Sequence, residues 1–96
     1  MQNFRTYQLA LELCKQVPTL PLKGTYKDQF ERAVLSIALN LAEGSAKPTQ
    51  RDQKRFFFIA LGSLRETQAI IAVLGLAHLE KQADKLGAHI FKLCHS

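Results

Sequence analysis

The sequence predicts an all-α protein: an up-down antiparallel four-helix bundle that occupies residues 1–96 as a single domain. Apolar residues recur at helical spacing in four segments, and short stretches with proline or glycine separate those segments. No stretch alternates apolar and polar residues as a half-buried β-strand does. Short links between long helices favour antiparallel neighbours, which gives the up-down order.

The first helix is predicted over residues 3–17 by an apolar face that repeats every three or four positions. The residues on this face are Phe4, Tyr7, Leu11 and Cys14. Pro18 and Pro21 end the helix, because proline lacks the backbone N–H that a helix interior needs and biases the preceding residue toward extended conformations. An extended linker is therefore expected up to Gly24.

The second helix is predicted over residues 26–43. Thr25 is a suitable N-cap, because its hydroxyl can accept a hydrogen bond from a free backbone N–H of the first turn. Asp28 in that turn is favoured by the helix dipole. Gly44 is expected to end the helix in the left-handed conformation that glycine adopts at little cost.

The third and fourth helices are predicted over residues 50–74 and 79–93. Thr49 followed by Asp52 resembles a capping box, which marks the start of the third helix. Gly75 is expected to end that helix. The fourth helix has one apolar face and one charged, solvated face. Its apolar face consists of Leu79, Ala83, Leu86, Ile90 and Leu93.

The second and third helices are too apolar to have one face in water. Two apolar stripes run through residues 30–42 of the second helix, and the apolar residues of 56–64 go almost all the way round the third. A helix that is apolar on every side is normally buried on every side. Since a 96-residue chain has too few other elements to cover both helices, we expect a partner surface, most simply another copy of the chain.

Charge and cysteine usage limit the partners and the compartment. The net charge of +5 and the pI near 9.5 favour anionic partners such as nucleic acid. Cys14 and Cys94 are expected as free thiols at opposite ends of the bundle, which indicates a reducing, cytoplasmic location. The N-terminal helix lacks a signal-peptide core, and the longest wholly apolar run, 56–61, is too short to span a bilayer. We therefore predict no membrane association.

Polar residues form a line on the second helix, and further polar residues lie on the third. The residues of this polar motif are Ser36, Asn40, Glu43, Gly44, Gly62, Ser63 and Glu66. Paired carboxylates can perform acid–base chemistry when their surroundings separate their pKa values. Buried serine and asparagine side chains more commonly satisfy hydrogen bonds between packed helices, and Gly62 would let two backbones approach. We interpret the motif as structural and predict no catalytic residue.

Metal and cofactor sites are not indicated by the sequence. A di-metal carboxylate bundle needs Glu-x-x-His on two helices, and no glutamate here has a histidine three positions later. His78, His89 and His95 lack the spacing of zinc ligands. Phosphate-binding loops, dinucleotide fingerprints and nucleophile elbows are also missing. We therefore predict a protein that is not an enzyme and that uses no metal or cofactor.

A basic cluster lies where the second helix gives way to the third. Its members are Lys47, Arg51, Lys54 and Arg55, and Asp52 is the one acid in this stretch of sequence. The cluster can bind nucleic-acid phosphates with a steep salt dependence, or it can be a solvated helix start that keeps the protein soluble. The aromatic run 56–58 that follows can stack on bases, but three consecutive positions point in three directions, which favours core and subunit contacts.

Two motifs connect the chain to a known family. They are SIALNLAEG, with Ser36, Asn40, Glu43 and Gly44, and FFFIALGSLRET, with Gly62, Ser63 and Glu66. With them the chain resembles the bacterial four helix bundle proteins, also called rRNA intervening-sequence proteins, whose relatives include the accessory variability determinant of diversity-generating retroelements. The resemblance implies a bundle that assembles into a ring-like homopentamer. For the retroelement members it also implies binding to nucleic acid and to a reverse transcriptase.

These features together predict a homo-oligomeric bundle that acts as a nucleic-acid-binding or adaptor protein. The expected partners are further copies of the chain, RNA or DNA, and a reverse transcriptase or another protein. The candidate nucleic-acid-binding residues are Lys47, Arg51, Lys54 and Arg55. The alternative is a purely structural protein-interaction scaffold without a role on nucleic acid.

Overall fold

A computed structural model describes residues 2–96, with side chains from Asn3 onward. Within this range the chain forms four α-helices and two short 3₁₀ turns, and none of these residues lies in a β-strand. The α-helices are α1 (Gln2–Gln16), α2 (Gly24–Ser45), α3 (Gln50–Leu74) and α4 (Glu80–Cys94), and the 3₁₀ turns are Val17–Thr19 and Ala77–Leu79. The prediction of an all-helical chain with four helices is confirmed.

Neighbouring helices run antiparallel, and α2 and α3 give the clearest evidence. Ser36 contacts Ser63, and Arg32 forms an ion pair with Glu66, so residue numbers rise along α2 as they fall along α3. Helix α3 also packs on α4, α1 packs on α2, and α1 packs on α4, which closes the four helices around one core. The short links after α2 and α3 produce this arrangement, because they leave no room for a crossover.

The core runs along the bundle axis and draws on all four helices. Its largest fully buried apolar side chains are Leu13, Phe30, Ile37, Leu41, Leu64, Ile71, Leu86 and Ile90. Burial of such a side chain contributes about 1.5–3 kcal/mol to the free energy of unfolding relative to leaving it exposed. Gly87 brings α4 close to α3, since a Cβ atom at that position would lie 3.0 Å from Cδ1 of Leu64.

The start of α2 differs from the prediction. The helix begins at Gly24, two residues earlier than predicted, and Thr25 does not cap it. Gly24 has a φ of 62°, in the left-handed region, and turns the chain from the extended Lys23 into the helix. Because glycine adopts this φ without steric cost, the turn replaces the side-chain cap that Thr25 was expected to provide.

Gly44 also has a role other than the predicted one. Helix α2 continues through Gly44 to Ser45, and the only positive-φ glycines in residues 2–96 are Gly24 and Gly75. A Cβ atom on Gly44 would lie 2.7 Å from the ring of Phe57, a distance that real Cβ atoms do not adopt. The prediction of a left-handed cap at Gly44 was therefore wrong. Glycine is needed here because the Phe57 ring lies directly against the backbone of α2.

The ends of α3 coincide with the predicted ones. The Thr49 hydroxyl accepts a hydrogen bond from the Asp52 backbone N–H at 3.2 Å, as a side-chain N-cap should. Gly75 has a φ of 68° and returns its N–H to carbonyl groups of the last turn. By contrast, α1 ends one residue before the predicted position and α4 is shifted by one residue toward the C-terminus.

Both cysteines are free thiols, in agreement with the prediction. The Sγ atom of Cys14 donates a hydrogen bond to the carbonyl oxygen of Val34 at 3.1 Å. Burial raises the pKa of the Cys14 thiol and that of the Cys94 thiol, and the ammonium of Lys54 partly opposes the effect at Cys94. Since the thiolate is the reactive form, both side chains act as small apolar groups of the packed bundle.

Candidate functional site

The basic cluster at the start of α3 divides into two parts. Lys47, which follows the end of α2, forms a salt bridge with Glu43 at 2.9 Å and lies 5.1 Å from the centre of the Phe56 ring. Its charge is therefore partly neutralised within the protomer. The guanidinium of Arg55 approaches the same ring at 5.3 Å, so Phe56 lies between the two parts of the cluster.

The second part of the cluster surrounds an open hollow on the first turns of α3. Arg51, Lys54 and Arg55 line this hollow together with Thr49, Asp52 and Phe58. Among residues 3–96, none of the three cations forms a salt bridge. Three cations against the one carboxylate of Asp52 leave a formal charge of about +2 on this surface. We call it the basic hollow.

Helical spacing explains why these side chains share a surface. Arg51, Arg55 and Phe58 are four and three residues apart, and residues at that spacing are neighbours on a helix. The Thr49 cap fixes where α3 begins and therefore which way its first residues face. The positive end of the helix dipole also lies here and favours anions. The basic hollow can therefore attract a phosphate group by charge alone.

The three consecutive phenylalanines point in different directions, as predicted. Phe57 is buried against Gly44, Phe56 is half-buried beside Lys47, and Phe58 remains 48% exposed at the basic hollow. Of the three phenylalanines, only Phe57 is fully buried in the core of the bundle. No sequence signal could separate the three, because their roles depend on how α2 and α4 pack around α3.

An aromatic contact that the sequence did not predict joins α3 to the end of α4. The ring of His95 lies edge to face with Phe58, with centroids 5.6 Å apart, and its centroid is 4.2 Å from that of Phe91. Phe91 is itself 49% exposed. We call Phe58, Phe91 and His95 the aromatic trio. It borders the basic hollow through Phe58, which belongs to both.

Ser36 and Ser63 of the polar motif share a hydrogen bond between α2 and α3, and further bonds within each helix hold these two residues. The hydroxyl groups of Ser36 and Ser63 are 2.7 Å apart, and Asn40 Nδ2 donates to the Ser36 carbonyl oxygen at 2.8 Å and to its hydroxyl at 3.2 Å. Thr67, which is fully buried, donates to the Ser63 carbonyl oxygen at 2.9 Å. The bond between Ser36 and Ser63 opposes sliding of α2 along α3, because a shift would leave the two hydroxyl groups unpaired.

The two glutamates of the motif do not form a pair. Glu66 binds Arg32, whereas Glu43 binds Lys47. Arg32 marks the level of Glu66 along α2, and Glu43 is eleven residues further on, which is about 16 Å at the helical rise of about 1.5 Å per residue. Paired carboxylates that act on one substrate lie much closer together. The arrangement therefore gives no support to acid–base chemistry by these two residues.

Gly62 does not mediate a close approach of helices within the protomer. It is exposed, and a Cβ atom at that position would have no atom within 4 Å. The backbone approach that was predicted at Gly62 therefore does not occur within a single chain. The close approaches occur instead at Gly44, against Phe57, and at Gly87, against Leu64.

The outer sides of α2 and α3 carry apolar residues that the protomer leaves exposed. On α2 these are Leu35, Leu39 and Ala42, and on α3 they are Ile59, Gly62, Ala69 and Val73. The four residues on α3 are three, seven and four positions apart. When Glu66 is counted with them, the intervals become three, four, three and four, which is the spacing of a helix–helix contact stripe. Leu39 is 59% exposed and Val73 is 75% exposed. We call these seven residues the outer apolar face.

Helix α3 is long and apolar enough to cross a membrane by length and composition. Only 28% of its most apolar stretch is buried within the protomer. Arg65 and Glu66 lie near the middle of the helix, where burial of a charged side chain in a bilayer costs about 2.5–3.5 kcal/mol on insertion scales. These two charges oppose a membrane-spanning position for α3.

No group of three or more histidine, cysteine, aspartate or glutamate side chains that could hold a metal ion occurs in the part of the chain that the structure describes. His89 is the unusual histidine, because its Nδ1 atom is buried without a hydrogen-bond partner. Its desolvation lowers the pKa of His89, as do the charges of Lys85, Arg5 and Lys92. These effects favour the neutral imidazole, because a positive charge there would lie near three cations.

A comparison with known protein families gives a match over nearly the whole chain. The family model described as 23S rRNA-intervening sequence protein matches residues 2–94. The chain belongs to this family. Membership confirms the resemblance carried by the polar motif. The matched range covers all four helices, from Gln2 to Cys94. No curated protein and no solved structure matches the chain.

Proposed function

We propose that this protein is a non-enzymatic accessory protein that assembles with copies of itself and binds nucleic acid. The basic hollow provides the binding surface, with Arg51, Lys54 and Arg55 as the principal contacts and Lys47 beside them. A family described by an rRNA intervening sequence is compatible with an accessory role of this kind. The observation that carries the proposal is the set of three cations that share one open surface without salt bridges among residues 3–96.

The unpaired state of these cations supports binding to phosphates. A lysine or arginine that already forms a salt bridge must give up that contact to bind a phosphate, whereas Arg51, Lys54 and Arg55 have no such contact to lose. Neutralised phosphates release condensed counterions, and this release drives association at low salt. Asp52 is the one carboxylate of the hollow, and its backbone N–H is engaged in the α3 cap.

The outer apolar face supports self-assembly. Exposed apolar residues along two neighbouring helices, bordered by charges such as those of Arg32 and Glu66, mark an interaction surface. Another copy of the chain can cover this face without any other protein. By the family resemblance the assembly is a ring of five, and five copies would carry five times the +5 charge of one chain. That multiplied charge would raise the affinity for a polyanion.

Fluorescence anisotropy with labelled RNA and DNA at low and moderate salt tests the proposal. We expect binding at low salt and a steep loss of affinity as salt rises. The triple variant Arg51→Glu, Lys54→Glu, Arg55→Glu should lose most of this affinity. Binding that is absent at low salt, or that the triple variant retains, would refute the nucleic-acid part of the proposal.

A matched control separates the basic hollow from net charge. Lys15 is exposed in the last turn of α1, and Lys81 and Lys85 are exposed on the first turns of α4, away from the basic hollow. The triple variant Lys15→Glu, Lys81→Glu, Lys85→Glu changes the net charge by the same amount. It should keep the larger part of the wild-type affinity. Equal losses in the two triple variants would show that overall charge, not this surface, governs binding.

The second candidate function is a protein-interaction scaffold without a role on nucleic acid, and the outer apolar face favours it. A reverse transcriptase or another protein would then cover Leu39, Ile59 and their neighbours. Affinity capture with and without nuclease distinguishes the two functions. A single protein partner that survives nuclease treatment and is lost in Leu39→Glu would support the scaffold.

A further inference from the structure

The aromatic trio lies at the edge of the basic hollow. The Phe58 ring lines the hollow beside Arg51, Lys54 and Arg55. On its other side the His95 ring contacts it edge to face at 5.6 Å, and Phe91 packs on His95 at 4.2 Å. Aromatic rings from α3 and α4 thus meet where the unpaired cations are concentrated.

Two phenylalanines in this position remain half exposed, at 48% for Phe58 and 49% for Phe91. Aromatic side chains are among the largest contributors of buried apolar area, so a bundle gains stability by covering them. An exposed apolar group that charged residues surround is typical of a binding surface. The outer apolar face does not include these rings, since its residues lie along the middle of α2 and along α3 from Ile59 onward.

The spacing along α3 matches the way in which a nucleotide is built. Phe58 is three residues after Arg55 and four after Lys54, so the ring and both cations lie within one helical turn. One sugar joins the base of a nucleotide to its phosphate. A base that stacks on Phe58 therefore brings its phosphate within reach of these long cationic side chains. Stacking on aromatic rings beside a cationic groove is how proteins bind single strands without reading their sequence.

We propose that the basic hollow binds single-stranded nucleic acid, with a base stacked on Phe58 and the adjoining phosphates held by Arg51, Lys54 and Arg55. The inference rests on the proposed nucleic-acid binding and adds the strand state and the residue that contacts the base. His95 and Phe91 support the Phe58 ring from the side away from the hollow. A duplex keeps its bases stacked on one another, so it offers the hollow its phosphates alone.

A comparison of two RNA strands that carry equal charge tests the inference. One is a short fluorescein-labelled single strand of mixed sequence, and the other has the same number of phosphates but abasic sugars at every position. We expect the full-length wild-type protein to bind the strand with bases about tenfold more tightly. Phe58→Ala should remove this preference while keeping the affinity for the abasic strand, and Phe58→Trp should retain the preference.

Tyr26→Ala is the matched control for the loss of an aromatic ring. Tyr26 is 60% exposed and lies near the start of α2, at the opposite end of the bundle from the start of α3. This variant should bind both strands as the wild type does. Sedimentation should give Phe58→Ala the same mass as the wild type, and a lower mass would overturn the inference by assigning Phe58 to a contact between copies.

The outcomes separate the two proposals. A wild-type protein that binds both strands equally, or a base preference that survives Phe58→Ala, overturns the stacking inference and leaves charge-based binding in place. Absence of binding to either strand at low salt overturns both proposals. A preference that Phe58→Ala abolishes, together with an unchanged affinity for the abasic strand, supports stacking at this ring.

Discussion

The α1–α4 half and the α2–α3 half of the bundle differ in how many apolar side chains they expose to water. Helices α1 and α4 bury one apolar face and present mainly polar or charged residues outward, whereas α2 and α3 are apolar on the inside and on much of the outside. Leu35 and Leu39 on α2 and Val73 on α3 are each more than half exposed. Most of the exposed apolar area therefore lies on α2 and α3, although Phe4 of α1 and Phe91 of α4 are also exposed.

The first and largest effect should come from charges placed on the outer apolar face. The double variant Leu39→Glu, Ile59→Glu should abolish self-assembly, because two carboxylates would be buried without partners in the contact between copies. The control Gln8→Glu, Ala88→Glu adds the same charge to exposed positions of α1 and α4. Light scattering after size-exclusion chromatography should show a smaller mass for the first variant alone. Two unchanged masses would remove the distinction between the halves.

The next effect concerns the contact between α2 and α3 inside the protomer. Gly44→Val should lower the free energy of unfolding by about 3 kcal/mol, because its side chain would overlap the Phe57 ring and overfill the core. The Gln53 carbonyl oxygen, 3.0 Å from the same position, limits how far α3 can move away. Chemical denaturation measures the change. A variant as stable as the wild type would mean that the ring can move aside.

A smaller effect should follow from loss of the hydrogen bond between Ser36 and Ser63. Either single change to alanine should cost about 1 kcal/mol, because the remaining hydroxyl loses its partner. The double variant should cost less than the sum of the two single changes, since both hydroxyls are then absent. A thermodynamic cycle from urea melts gives the coupling. Strict additivity would show that this bond does not link the two helices.

The smallest effect is expected at Gly62, where added side-chain atoms should stabilise the single chain but weaken self-assembly. In the isolated protomer Gly62→Ala should raise stability by about 0.5–1 kcal/mol, because a Cβ atom meets nothing and alanine favours the helix. A larger side chain, as in Gly62→Leu, should weaken self-assembly without unfolding the protomer. Measurement of stability and mass on both variants checks this. A strongly destabilised Gly62→Ala protomer would contradict the structure.

Local signals predicted the parts of the fold that depend on local chemistry. The Thr49 cap and the left-handed Gly75 place the ends of α3 without reference to any other helix. The signals at Thr25 and Gly44 failed because other residues decided the outcome: the left-handed Gly24 replaced a side-chain cap, and the Phe57 ring required glycine inside α2. A glycine in a helical pattern does not reveal which of these demands it meets.

The candidate site was predictable only in part. The basic residues were visible as a cluster in the sequence, and helical spacing alone places Arg51, Lys54 and Arg55 on one surface. The contact of Phe58 with His95 could not be predicted, because it depends on the register of α4 against α3 over a separation of 37 residues. The register of α2 against α3 in turn fixes Ser36 opposite Ser63, a pairing that composition and spacing leave open.

Sedimentation velocity of the wild-type protein at micromolar concentration shows whether another copy of the chain covers the outer apolar face. We expect a species whose mass is a multiple of the 10.8 kDa chain, five-fold for the ring that the family resemblance implies. A single species of 10.8 kDa would rule out self-assembly, because Leu39, Ile59 and Val73 would then face water in the free protein.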